Sequence, residues 1–295
     1  MKKFFAGLLL LGLTFTGAFY VGKARRPPLV IKSAALEFKP SPYPLFNHPF
    51  VVVIVGCNNG AWLEKTLHSV FRQNYPNFRV IYIDNASDDG SFDLARDLIY
   101  ESTYMDYVTL LRNETPLGST QSYARAVATC EPHEIVVVLG GEDWLAHEWV
   151  LSKLNQYYAN PDLWVTYGGC REYPNYVMNF VKMADPTTPL RKQPFFASSL
   201  HSFYADLFQR IAPEDLIYPA AVQQAYMLPL LEMAGTHAGC IPEVLYIANK
   251  LGTKENPEMA LLCEKSIRSL SAYSALGKRP VGSGASEELS LDEAH

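Results

Sequence analysis

The sequence predicts an α/β protein built on a mostly parallel sheet with helices on both faces. Two continuous β-branched runs, residues 50–55 (FVVVIV) and 135–139 (IVVVL), have the composition of strands buried on both sides. Between them, short apolar runs alternate with segments of helical period, the order that produces parallel strands joined by crossover helices. The chain of 295 residues is 48% hydrophobic and 19% charged, which excludes a mainly disordered protein and allows one large domain or two small ones.

The elements follow in order. After the strand at 50–55, Gly56-Cys-Asn-Asn-Gly60 punctuates. Residues 62–72 carry apolar side chains at 62, 63, 67, 70 and 71, which is helical spacing. A turn at 74–77 leads to a second strand, 78–83, ending at Asp84. A second helix spans 91–100, with Ser91 as its expected cap and Asp93 in its first turn. A short strand at 108–111, a helix at 119–130 and the buried strand at 135–139 complete the first half. The pattern weakens beyond residue 150. A helix at 151–158, a strand at 163–167, a loop at 174–194 and helices at 199–211 and 222–234 are expected. Asn256-Pro-Glu reads as the start of a last helix running to about residue 275.

The two ends differ from this body. Lys2 and Lys3 precede an 18-residue apolar or small run, residues 4–21, followed by Lys23, Arg25 and Arg26. That length is near the lower limit for a membrane-spanning helix. No A-x-A site follows it, so residues 1–27 read as a signal-anchor, with a cleaved signal peptide and export as the alternative. Proline-rich residues 28–47 read as a linker, 48–276 as the folded domain, and the Gly-, Ser- and acid-rich residues 277–295 as a disordered tail. The expected localisation is membrane-associated through this single N-terminal segment. Apart from residues 1–30, the chain holds 20 basic against 30 acidic side chains, which argues against nucleic acid as a partner. Five cysteines, widely spaced and with no C-x-x-C, argue against a disulfide framework and a cysteine zinc site.

In an open α/β sheet, ligands bind beyond the carboxyl ends of the strands. Cys57, Asn58 and Asn59 lie there after the first strand. Asp84-Asn-Ala-Ser-Asp-Asp-Gly-Ser91 follows the second, and Gly140-Gly-Glu-Asp-Trp-Leu145 the fourth. Two acidic loops at one sheet edge call for a cation or hydrogen-bond donors between them, and a divalent cation carrying a nucleotide ligand supplies both. Each loop alone reads equally well as ordinary turn chemistry, since Asx and Gly are common turn formers. Their joint placement is the stronger signal.

Residues 51–91, VVVIVGCNNGAWLEKTLHSVFRQNYPNFRVIYIDNASDDGS, resemble the opening of family 2 glycosyltransferases with the GT-A fold, a Rossmann-like sheet. GEDWL stands where that family has its D-x-D-D loop, and LWVTYGGCREYP and MLPLLEMAGTHAGCIPEVLYIAN resemble a C-terminal, acceptor-side helical region. The resemblance implies transfer of a sugar from a nucleoside diphosphate, a UDP-sugar in the first instance, to an acceptor that could be a glycan, lipid or protein. It implies nucleotide-sugar binding by Asn59, Asp84, Arg125 and Glu142. A divalent metal, Mn²⁺ or Mg²⁺, would be held by Glu142 and Asp143.

The sequence departs from the family pattern at the catalytic acids. Gly140 replaces the first Asp of the D-x-D, and Glu142 the second. Gln223 falls at the usual base position, and an amide accepts no proton near neutral pH. Glu214, Asp215 and Glu232 are the nearby carboxylates that could substitute, Asp215 and Glu232 before Glu214. These losses raise the alternative of a catalytically inactive GT-A-like module that binds a nucleotide sugar, glycan or protein. His133, His147, His201 and His237 form no ligand set and read as surface or core residues, as Trp144, Trp149 and Trp164 read as core.

Overall fold

A computed structural model describes residues 46–180, 183–185, 187–197, 199–252 and 256–278. The expected anchor at 1–27, most of the linker at 28–47 and most of the tail at 277–295 lie outside the described residues. Among those described, no helix is long and apolar enough to cross a membrane.

The first half alternates as its sequence predicts: β1 Phe50–Gly56, α1 Gly60–Phe71, β2 Phe78–Asp84, α2 Ser91–Tyr100, β3 Val108–Arg112, α3 Ser119–Val127 and β4 Ile135–Gly140. Strands β1, β2 and β3 pair in parallel, and β4 pairs in parallel with β1 on its other side. Residues 50–55 of β1 and 135–139 of β4 are almost wholly buried, so each apolar run meets protein on both faces. The second half adds β5 Trp144–Leu145, α4 Val150–Tyr158, β6 Val165–Tyr173, β7 Val177–Asn179, β8 Ser199–Tyr204, α5 Ala205–Phe208, α6 Val222–Ala234, β9 Ala238–Asn249 and α7 Pro257–Ser269. One nine-stranded sheet runs β3-β2-β1-β4-β8-β6-β9-β5, with β7 paired to β6. Chain order reverses beside β1, where β2 and β4 flank it. That crevice at the carboxyl ends of β1 and β4 is where such sheets take ligands.

Several sequence expectations are corrected. Residues 199–204 form a strand, not the start of a helix over 199–211. Strand β8 sits between β4 and β6 and is buried along its length. Its polar side chains are satisfied there, Ser202 Oγ lying 2.5 Å from Thr166 Oγ1 and 3.0 Å from Tyr158 Oη. The expected loop at 174–194 contains β7, which closes a hairpin on β6. Residues 238–249, unassigned by periodicity, form the 12-residue β9. The last helix ends at Ser269 rather than near 275, although Asn256 caps it as expected, accepting from Glu258 N and Met259 N. Ser91 does not cap α2. Gly90 holds that position at φ 86°, and Ser91 N and Oγ both donate to Asp89 Oδ1.

Helix α6 is apolar all round because it is enclosed: Tyr226, Met227, Leu228, Leu230 and Leu231 are all buried. It packs against α3, α5 and β6, and its first turn faces the carboxyl end of β4.

Candidate active site

The crevice begins with two glycines that let β1 and β4 close on each other. A Cβ on Gly141 would lie 2.6 Å from Gly56 Cα, so no larger residue fits there. Asn59 locks this junction. Its Nδ2 donates to Gly141 O at 2.6 Å and its Oδ1 accepts from Tyr82 Oη at 3.0 Å. The side chain is fully buried, with donor and acceptor both occupied. Asn59 therefore braces the site from beneath.

Asp84 ends β2 at the same edge and is also fully buried. Its Oδ2 accepts from Ser87 N at 3.0 Å and lies 3.5 Å from Arg112 Nε. Its Oδ1 is buried and accepts no hydrogen bond among the described residues. A buried acceptor left unmade costs about 1–3 kcal/mol, so this oxygen calls for a donor. Asn85 next to it binds the β3–α3 loop instead, its Oδ1 accepting from Asn113 Nδ2 and Leu117 N, both at 2.9 Å.

Arg125 supports that loop. Its Nη1 donates to Arg112 O at 2.9 Å and Asn113 Oδ1 at 2.6 Å. Residues 119 and 123 of α3 line the cavity at the end of β4, and 125 lies about 200° around the helix from 123. Arg125 is itself exposed, and the bonds from Nη1 tie it to the end of β3.

The two acidic loops do converge. Cys57 lies between them, and its thiol is pushed up by burial and then by the charges of Asp84, Asp88, Asp89 and Glu142. Within the β4 loop the two acids have separate surroundings. Asp143 folds back over Gly140, its Oδ2 accepting from Tyr246 Oη at 2.5 Å and its Oδ1 from Asn249 N at 2.7 Å. Burial pushes its carboxyl above the ordinary range, and the two hydrogen bonds and Lys250 pull the other way. A Cβ on Gly140 would lie 2.5 Å from Asp143 Oδ2, so the missing acid at 140 and the inward turn of Asp143 are one arrangement. The Glu142 carboxylate rests on the backbone of Gly252, where an added Cβ would overlap it.

This decides which residues fit a metal. Both Asp143 oxygens are committed to protein donors, and Gly140 offers no ligand atom. Among the described residues, no three His, Cys, Asp or Glu side chains are grouped around a possible ion. Glu142 and Asp143 remain the carboxylates of the β4 loop that could meet a cation arriving on a diphosphate, since Mg²⁺-type ions need only one or two carboxylates beside phosphate oxygens and water.

The candidate substitute bases lie in hydrogen-bonded settings away from this loop. Glu232 is locked in a buried bidentate pair with Arg191, at 2.7 and 2.8 Å, and also accepts from Tyr273 N. Asp215 accepts from Tyr273 Oη at 2.7 Å. Neither it nor Glu214 lines the cavity at the end of β4. That cavity, about 310 Å³, is lined by Gly140, Asp143, His201, Gln223 and Tyr246 among others. Sequence reasoning missed Tyr246, Asn249 and Gly252, which all come from β9 and the turn after it.

His201 is a core residue on the cavity wall. Its Nε2 lies 2.8 Å from Ala197 O, so that nitrogen carries the proton, and Nδ1 accepts from Tyr226 Oη at 2.6 Å. Burial pushes its pKa down to about 4. The unfolded chain binds the proton near pH 6.5 and the native state does not, so this group's contribution to stability is full above 6.5 and is lost as pH falls toward 4. His201→Gln should flatten that limb of a urea-unfolding series from pH 7 to pH 4. An unchanged slope would show that other groups govern it.

A sheet with its ligand crevice between β1 and β4, an acid at the end of β2 and an acidic loop at the end of β4 defines the GT-A class of nucleotide-sugar folds. The sequence profile described as Glycosyl transferase family 2 matches residues 51–204, just over half of the chain. The chain belongs to that family. A curated relative, EpsE of Bacillus subtilis (strain 168), itself named only as a candidate glycosyltransferase, is 35% identical over 68 residues. That match spans 23% of this chain and 24% of EpsE. Among solved structures, the mannosyltransferase PcManGT of Pyrobaculum calidifontis, in complex with GDP-Man and Mn²⁺, aligns with a TM-score of 0.56 at 22% identity, over 80% of this chain and 69% of that one. TarS 1-349 of S. aureus, in complex with UDP-GlcNAc, aligns at 0.55 and 15% identity, over 72% of this chain and 60% of that one. At these identities the structural likeness establishes the fold.

Proposed function

We propose that the chain binds a nucleoside-diphosphate sugar across the ends of β1, β2 and β4 and transfers the sugar to an acceptor hydroxyl. The observation that carries this reading is the buried, unpartnered Oδ1 of Asp84. An imide N–H of a pyrimidine, or a ribose hydroxyl, supplies the missing donor, and a UDP-sugar is the donor substrate this favours. Solved proteins of the same fold carry UDP-GlcNAc and GDP-Man.

Glu142 is the residue that would hold a divalent ion, Mn²⁺ or Mg²⁺. When bound, such an ion neutralises charge on the departing diphosphate. In the transfer, the acceptor oxygen bonds to the anomeric carbon as that carbon's bond to the diphosphate oxygen breaks, and the acceptor proton passes to a base. Gln223 can hold the hydroxyl by hydrogen bonds but cannot take its proton.

That last fact favours a second reading, a module that binds the nucleotide sugar without efficient transfer. Calorimetry with UDP and UDP-GlcNAc, with and without Mn²⁺, tests the donor site. Binding strengthened by Mn²⁺ and weakened by Glu142→Ala supports it, and no nucleotide binding under either condition overturns both readings. Gly252→Ala should give an intermediate result: the added methyl displaces the Glu142 carboxylate, and the Mn²⁺-dependent part of the affinity should fall about tenfold, about 1.4 kcal/mol. Unchanged Mn²⁺ dependence would remove Glu142 from the metal. Attachment to a membrane through residues 4–21 belongs to the same proposal. A reporter at the C-terminus, read for cytosolic or external exposure, separates it from export.

A further inference from the structure

A second cavity, about 420 Å³, opens between the first turn of α6 and α7. It lies within the size range of small-molecule sites, about 300–1,000 Å³. Phe195, Ala221, Val222 and Ala260 form its apolar wall, and Gln223, Gln224 and Glu264 its polar one. Val222 and Gln223 also line the cavity at the end of β4, so the two cavities share a wall at Gln223.

Three features describe the occupant. Gln224 Oε1 is buried and accepts no hydrogen bond among the described residues, so the occupant should donate one. Among the described residues the lining contains no Lys, Arg or His, and its one charged group is the Glu264 carboxylate, which accepts from Arg268 Nε at 2.8 Å. The amide end of α6 alone would welcome an anion, but the nearby carboxylate opposes one. The wall divides into an apolar side with a half-buried phenyl ring and an amide side. A lipid chain would leave Gln224 Oε1 unsatisfied, and a phosphate would meet amide donors but no cationic side chain of the described lining, beside the Glu264 carboxylate. A sugar ring presents a C–H face to Phe195 and hydroxyl donors to Gln224.

We propose that this cavity is the acceptor subsite and that it selects an uncharged, hydroxyl-rich acceptor, a sugar residue of a neutral glycan. The inference rests on the transferase reading for its role in the reaction, but the binding claim stands alone. Ala221 supports the assignment of a functional wall. It holds φ 53°, ψ 33° at the start of α6, a left-handed conformation that costs a residue with a Cβ about 1–2 kcal/mol.

Saturation-transfer NMR on the full chain provides the test. Maltotriose, cellotriose, mannotriose and triacetylchitotriose are the neutral probes, and glycerol 3-phosphate and inorganic phosphate the anionic ones. At least one neutral trisaccharide should receive saturation, the anions should not compete with it, and Ala260→Trp should abolish the signal. Gln224→Ala, a milder change, should weaken it about twofold to tenfold, as expected for one hydrogen bond. UDP affinity measured on the same samples should be unchanged, which shows that both variants fold. Competition by either phosphate, signals that survive Ala260→Trp, or no contact with any neutral saccharide would overturn the proposal. Loss of UDP binding in the wild-type chain would instead sink the donor reading and leave the saccharide result to be judged by itself.

Discussion

Asp84→Asn should lose nucleotide affinity without losing stability. The substitution keeps the volume of the side chain and can still accept from Ser87 N. It removes a buried charge whose second oxygen has no partner, so the ligand-free protein should be as stable as the wild type or slightly more so. With UDP present the order reverses. The amide turns an acceptor into a donor opposite a ligand donor, and a hydrogen bond to a charged group is worth about 1.5–3 kcal/mol, roughly 10–150-fold in Kd. Chemical denaturation and calorimetry on the same samples read both effects. A variant that unfolds more easily and binds UDP normally would make Asp84 a structural carboxylate of the β2 end, held by Arg112.

Gln223→Asp should raise the transfer rate. The residue is exposed at the mouth shared by the two cavities, so a carboxylate there stays solvated and can accept a proton. A positioned base is typically worth about 10²–10⁴-fold in rate. The substitution should therefore move turnover of a UDP-sugar far more than it moves UDP affinity. Pairing it with Gly140→Asp, which would restore the family's acidic loop, is the wrong companion change. A side chain at 140 would collide with the Asp143 carboxylate and crowd Tyr246. An unchanged but substantial rate in Gln223→Asp would mean that another group takes the proton. An unchanged rate near zero would favour the binding-module reading.

The parts of the fold that were legible in the sequence are those whose chemistry is local. Strands β1 and β4 are continuous apolar runs, β2 is one broken only by Arg79, and α1 keeps its helical period. Strand β8 was not legible, because Ser199, His201 and Ser202 give SLHSFY a polar pattern. Their partners, Thr166, Tyr158 and Tyr226, lie 25–44 residues away in sequence. Pro242 interrupts the pattern of β9 in the same way. The site divides along the same line. Asp84 could be placed by its position at a strand end. The burial of Asn59, the diversion of Arg125 and the capture of Asp143 by Tyr246 depend on contacts spanning 12 to 106 residues, which no local pattern encodes. The departures at Gly140 and Gln223 were visible as substitutions. Only the structure relates Gly140 to the inward turn of Asp143.

The central claim is that the carboxyl ends of β1 and β2 hold the nucleotide through Asp84. A crystal structure of the chain soaked with UDP and Mn²⁺ tests it most directly. A base or ribose donor should lie within hydrogen-bond distance of Asp84 Oδ1, with the diphosphate directed toward Glu142. A nucleotide bound elsewhere, or bound here with Asp84 Oδ1 still without a partner, would contradict it.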